Sequence, residues 1–193
     1  MKQPNLLSTN SKLKKDGIHS FGLPAIKTCP FAGACKAYCY ATHGCYRYPV
    51  VKHARERNLK ATREVGFSNR ICAEISRRDI KRVRIHDSGD FYSRPYLAKW
   101  LDIAHRNPWT QFYCYTKSIP YFVEHPPTYI PLNFRVIFST GGKRSDLIDT
   151  EKHRHASVFK NSSRLNDFGY DDGSQSDLVA ATTKSLKIGL ILH

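Results

Sequence analysis

The 193 residues carry 31 Lys and Arg against 16 Asp and Glu, a formal charge of +15, with 40% hydrophobic residues and 10 prolines. That length suits one domain with a sizeable core, and the hydrophobic share excludes general disorder. No apolar run approaches the roughly 18–20 residues that span a bilayer, and six cysteines fall below the density of a disulfide-built scaffold. The charge surplus favours polyanions, so nucleic acid, DNA or RNA, is the expected partner.

The first fifteen residues contain no apolar core of a secretory signal, so the chain is expected in a reducing host cytoplasm with no membrane association. Residues 1–20 read as a basic N-terminal arm, mobile or forming an edge element. Residues 21–193 read as a single α/β domain with a cysteine-rich loop at 29–45. Phe21 to Ala25 is short and extended and leads into that loop. Pro49 then opens a helix of about four turns, with Val51, Ala54, Ala61 and Val65 inward and Asn58 interrupting the stripe. A second helix starts at Ser68 as N-cap and turns Ile71, Cys72 and Ile75 inward.

Arg82 to His86 alternates with period two and reads as a strand ending in the turn Asp87-Ser88-Gly89-Asp90. A helix from Pro95 to Arg106 is stopped by Asn107-Pro108. Gln111–Thr116 and Phe134–Ser139 read as strands, with a turn and short helix around Ile119–Glu124 between them. Weaker strand signals lie at Ala156–Phe159 and Leu186–Leu192. Asn161–Ser176 reads as a polar loop, and His153 and His155 as part of a solvated basic loop.

Strands alternating with helices imply βα units and a mainly parallel sheet. Arg82, Arg84 and His86 alternate with Val83 and Ile85, and Arg135 with Val136, so one sheet face is polar, unlike a sheet buried on both sides. The expected fold is therefore a partial, open βα barrel.

Cys29, Cys35, Cys39 and Cys45 fall within seventeen residues, separated by five, three and five others. Thiolates are soft ligands, and four of them are the usual complement of a [4Fe–4S] cluster. The paired cysteines of a zinc knuckle are missing, although a zinc site from these residues or His43 stays open. Cys72 and Cys114 read as core, with Cys114 an alternative fourth ligand.

At the end of the second strand, His86, Asp87, Ser88, Gly89 and Asp90 form a candidate ligand-binding turn, where α/β folds place their ligands. Asp87 and Asp90 could form an acid/base pair. Ser139 to Arg144 offers amides and cations to an anion. Arg47, Lys52, Arg55, Arg57, Lys60 and Arg63 form the candidate nucleic-acid surface.

The run FGLPAIKTCPFAGACKAYCYATHG from Phe21, followed by RIHDSGDFYS, YLAKWLDIAHRNP and FYCYTKS, resembles the phage gene product eighty-eight family from about Leu7 to about Lys143. The resemblance matches Cys29, Cys35 and Cys39 to shared cysteines and leaves Cys45 outside them. In layout, though not in cysteine spacing, the chain is also similar to radical SAM enzymes. That similarity implies three cluster cysteines, an open iron, and S-adenosylmethionine held near Ser88–Asp90.

Overall fold

The computed structural model describes residues 3–192. Seven strands form one sheet in the order β1-β2-β3-β4-β5-β7-β6, every pair parallel, curled into a half-barrel. The strands are β1 (Ile18–Phe21), β2 (Arg82–Ile85), β3 (Gln111–Thr116), β4 (Phe134–Ser139), β5 (His155–Phe159), β6 (Asp171–Asp172) and β7 (Lys187–Ile191). Helices α2 (Pro49–Thr62), α3 (Phe67–Arg78) and α4 (Arg94–Arg106) supply the long crossovers that parallel neighbours require. The shorter helices are α1 (Ser11–Lys15), α5 (Pro120–Val123), α6 (Ser162–Asp167) and α7 (Leu178–Thr182).

Strand alternation divides the core in two. Phe21, Val83, Ile85, Phe112, Cys114 and Phe134 point outward and pack with the helices, around Trp100 and Phe67. Ile18, Tyr113, Ile137, Ala156 and Ile188 point inward, where Leu13 of α1 and Ala180 and Ala181 of α7 fill the lower lumen. The arginines that make the inner face polar hold this plug. Arg82 donates to Asp16 O after α1 at 3.4 Å, and Arg135 donates to Thr183 O after α7 at 2.5 Å. Arg84 donates to Asp177 Oδ1 before α7 at 2.8 Å. Arg82 and Arg135 thereby satisfy carbonyls at helix C-termini, while Arg84 meets a carboxylate.

Several expectations are corrected. Of the two forms expected of the basic arm, its described part takes the edge element, packed rather than mobile. Leu6 and Leu7 are buried, with their amides on the Glu74 carboxylate, and Ser8 bridges Ser20 beside β1, the edge strand. Residues 1–2 and the last residue of the expected domain, His193, lie outside the described residues. The first strand ends at Phe21, where the sequence suggested it would begin.

Asn58 does not interrupt the buried face of α2. It is 1% exposed and donates to Leu6 O and Gly22 O, while Val65 is fully exposed beyond the helix end. Gly66, not Ser68, precedes the first turn of α3. The polar stretch 161–176 folds into α6 and β6, because Asn161 caps a helix whose Leu165 is buried. His155 is wholly buried in β5, between His153 O and the Tyr170 hydroxyl, and is no part of a solvated loop.

Candidate active site

All seven strands point the same way, so their C-terminal ends share one rim, and a cavity of about 400 Å³ opens there. Three groups of residues line it. The cysteine loop contributes Cys29, Cys35 and Cys39, the β2 turn contributes His86, Ser88, Gly89 and Asp90, and the inner face contributes Arg84, Tyr115, Lys117 and Ser139. Val158, Leu190 and Leu192 form an apolar far wall.

The cysteine loop is three single-turn 3-10 helices, Ala34–Lys36, Tyr40–Thr42 and Gly44–Arg47. It is tied down at both sides. Ala32 bridges Gly142 after β4, with Lys143 N donating to Phe31 O at 2.9 Å. Those contacts, and the bond from Gly142 N to Ser145 Oγ, occupy amides that the Ser139–Arg144 run offered to an anion. On the other side the Tyr40 hydroxyl donates to Asp87 O.

Gly89 seats the β2 turn against the loop's start. Its φ is +81°, and a Cβ there would lie 2.5 Å from Thr28 Oγ1 and 2.6 Å from Leu23 Cβ. Only glycine meets both conditions without strain. Ser88 adds two bonds, Oγ to Leu23 O at 2.7 Å and its carbonyl from Leu23 N at 2.8 Å.

Burial pushes the Cys29 thiol up to about 12, with Asp90 adding to the shift and Cys39 and Cys35 contributing less. Such a thiol stays protonated at neutral pH unless a cation binds it. A coordinated metal would draw that proton off. Among the described residues no three His, Cys, Asp or Glu side chains converge closely enough to hold a single metal ion. A cubane asks less convergence, since each thiolate binds a different iron.

Cys45 is exposed and does not line the cavity. Cys114 is fully buried in the outer core with its thiol against Arg135 O. Neither is brought to the other three.

The two acids of the β2 turn diverge. Asp87 receives Arg55 Nη2 at 2.6 Å under the turn, in a pocket that Gly22 leaves open. Asp90 faces β3, where its carboxylate accepts from Thr116 Oγ1 at 2.6 Å, Phe91 N at 2.7 Å and Lys117 N at 2.8 Å. No Asp87–Asp90 acid/base pair forms. His86 has a left-handed φ of 67°, and burial lowers it to about 3, so it is neutral. Its Nε2 meets the Tyr96 hydroxyl at 2.8 Å, and its Nδ1 has no partner among the described residues. A strained, incompletely bonded residue in a cavity wall is characteristic of functional sites.

The basic face is altered in one respect. Arg55 is engaged by Asp87 and unavailable to nucleic acid, whereas Arg47, Lys52, Arg57, Lys60 and Arg63 are exposed. Tyr38 and Tyr48, 44% and 61% exposed, stand near the same loop.

The sequence gives no signal for Lys12, Tyr115 or Asp177 as neighbours of the site. Asp177 comes from a polar stretch distant in the chain, and Lys12 from the segment read as an arm.

A family model described as Gene product 88 matches residues 2–189. The chain belongs to this family. The match extends the resemblance beyond Lys143 to almost the entire chain and takes in β5 and the start of β7. Comparison with curated proteins and with solved structures gave no match. Among the described residues no helix is long and apolar enough to cross a membrane.

Proposed function

We propose that this gene product 88 protein holds a [4Fe–4S] cluster through Cys29, Cys35 and Cys39, with one iron open to the cavity. A small molecule, S-adenosylmethionine or one like it, would be seated beside Ser88–Asp90, within the same cavity. The observation that supports this reading is the meeting of three cysteines and the β2 turn on one cavity while Cys45 stays outside. When bound, such a cluster supplies an electron and an open coordination position.

The chain's own residues have separable tasks. The three thiols give up their protons to bind, and the raised Cys29 makes that release costly at low pH. Gly89 brings the β2 backbone close to the loop, and Tyr38 stands in the cavity wall. Asp90 sets the position of Lys117 through the Lys117 amide. His86 presents a neutral imidazole beside the turn.

Anaerobic incubation with S-adenosylmethionine and a reductant should yield 5′-deoxyadenosine. Neither product nor spectral change on a protein that carries the cluster would reject the open-iron reading and leave a structural or electron-transfer cluster. Cys45→Ser should keep full cluster content; loss of the cluster in that variant would restore the four-cysteine arrangement.

The second element of the proposal is a nucleic-acid partner on the face of Arg47, Lys52, Arg57, Lys60 and Arg63. The net charge of +15 and the exposed Tyr48, next to Arg47 in the chain, support it.

A further inference from the structure

Arg84 differs from the other inner-face arginines. Arg82 and Arg135 are engaged by carbonyls of the plug, but Arg84 lies in the cavity wall, its side chain 19% exposed. Its Nη1 donates to Asp177 Oδ1 at 2.8 Å, Nη2 has only a 3.5 Å contact with the Tyr40 hydroxyl, and Nε has no partner. The Nε–Nη2 edge is the side of a guanidinium that grips a carboxylate or phosphate through two parallel bonds. The ring of Tyr115, 5.4 Å away, supports the guanidinium's face.

Charge around this edge is unbalanced. Asp177 is shared between Arg84 and Lys12 Nζ, the latter at 3.3 Å, and it also accepts from the Tyr113 hydroxyl at 3.1 Å. Two cations thus face one carboxylate at the floor of a semi-enclosed cavity. Taking a cation from water without full pairing is costly, and an incoming anion offsets that cost.

We infer that the cavity floor is an anion subsite: Arg84, backed by Lys12, binds a carboxylate or phosphate group of the molecule the protein works on. Assigning that group to the substrate rests on the function proposed above; the anion site itself does not. Asp177 holds Arg84 in place and keeps the floor from becoming a general sink for anions. The Tyr40 hydroxyl is held by Asp87 O, so its 3.5 Å contact leaves Nη2 as the weakly engaged nitrogen of this edge.

The test follows the Arg84 Nε–H resonance in ¹⁵N-labelled, anaerobically purified protein. Inorganic phosphate and acetate are titrated separately against chloride at equal ionic strength. The resonance should shift saturably with one or both anions and not with chloride. Phosphate alone points to a phosphate ester as ligand, acetate alone to a carboxylic acid. Lys12→Gln, which removes a half-exposed cation bound to Asp177 and to Ser174 O, should weaken the apparent affinity at least about threefold. An Nε–H unmoved by both anions, or an affinity unchanged in Lys12→Gln, would overturn the inference. The resonance is assigned through its coupling to the Arg84 Cδ, so no Arg84 variant need fold. A colourless preparation that still binds the anion would sink the cluster and leave this subsite standing.

Discussion

Cys29 and Cys45 stand for two kinds of cysteine in one loop. The first is drawn into a cavity wall and held as a thiol by burial; the second faces water. In metal-free protein at pH 8, iodoacetamide should modify Cys45 at least about tenfold faster than Cys29, read by peptide mass spectrometry. Equal rates would remove the distinction on which the three-cysteine reading depends.

His86 makes a separate prediction at the same scale. Its folded pKa, near 3, lies below the ordinary 6.5, so the unfolded chain takes up a proton in that interval and the folded chain does not. Stability from this group is complete above pH 6.5 and is lost as pH falls towards 3, at a slope approaching about 1.4 kcal/mol per pH unit. Urea melts of wild type and His86→Gln should show a flatter acid limb in the variant. Parallel limbs would mean that the imidazole is not held neutral.

At the scale of elements, two joints hold the loop in register. Gly89→Ala adds a methyl group to a left-handed backbone already in contact with Thr28 and Leu23, and should cost about 1–3 kcal/mol in urea denaturation. Cluster content should fall with it, because the loop's start is what the methyl displaces. Asn58→Leu strands the carbonyls of Leu6 and Gly22, a loss of about 1–3 kcal/mol for each acceptor left dry. Limited proteolysis should then cut first within residues 3–17. A variant as resistant as wild type would show that the N-terminal segment is anchored elsewhere.

What the sequence discloses differs from element to element for physical reasons. β2, β3 and β4 are legible because their alternation or aromatic density is strong and the flanking turns are sharp. The polar inner face of the half-barrel is legible too, from Arg82, Arg84 and Arg135. α6 and β6 are not, since one buried leucine in a polar stretch carries no periodicity. Asn58 looks like a fault in an apolar stripe because its role is to bond chain segments 36 and 52 residues away. Likewise the three cavity cysteines show in the spacing, but which cysteine is excluded depends on the turn after His43. The Arg84–Asp177–Lys12 floor joins three remote segments, and no local pattern announces it.

For the molecule as a whole, a parallel half-barrel brings every strand's C-terminal end to one rim, and the helical plug closes the opposite end. Chemistry is therefore confined to a single mouth. The basic exterior is a separate feature: Arg47, Lys52, Arg57, Lys60 and Arg63 are exposed, and none of them lines the cavity. Binding of a single-stranded oligonucleotide, followed by fluorescence anisotropy, should weaken steeply between roughly 50 and 200 mM salt, with a log–log slope of about −3.5 if five cations each meet a phosphate. Lys52→Gln with Arg63→Gln should reduce that slope by about one unit or more. A salt-independent affinity, or no binding at low salt, would separate the charge from nucleic acid.

The inorganic centre remains the claim on which the others turn, and its most direct measurement is iron, sulfide and zinc content of the anaerobically purified protein beside its Cys29→Ser and Cys45→Ser variants. The account predicts about four iron and four sulfide per wild-type chain, the same in Cys45→Ser, and a large loss in Cys29→Ser. Zinc in place of iron, or a folded wild-type chain free of metal, would contradict it.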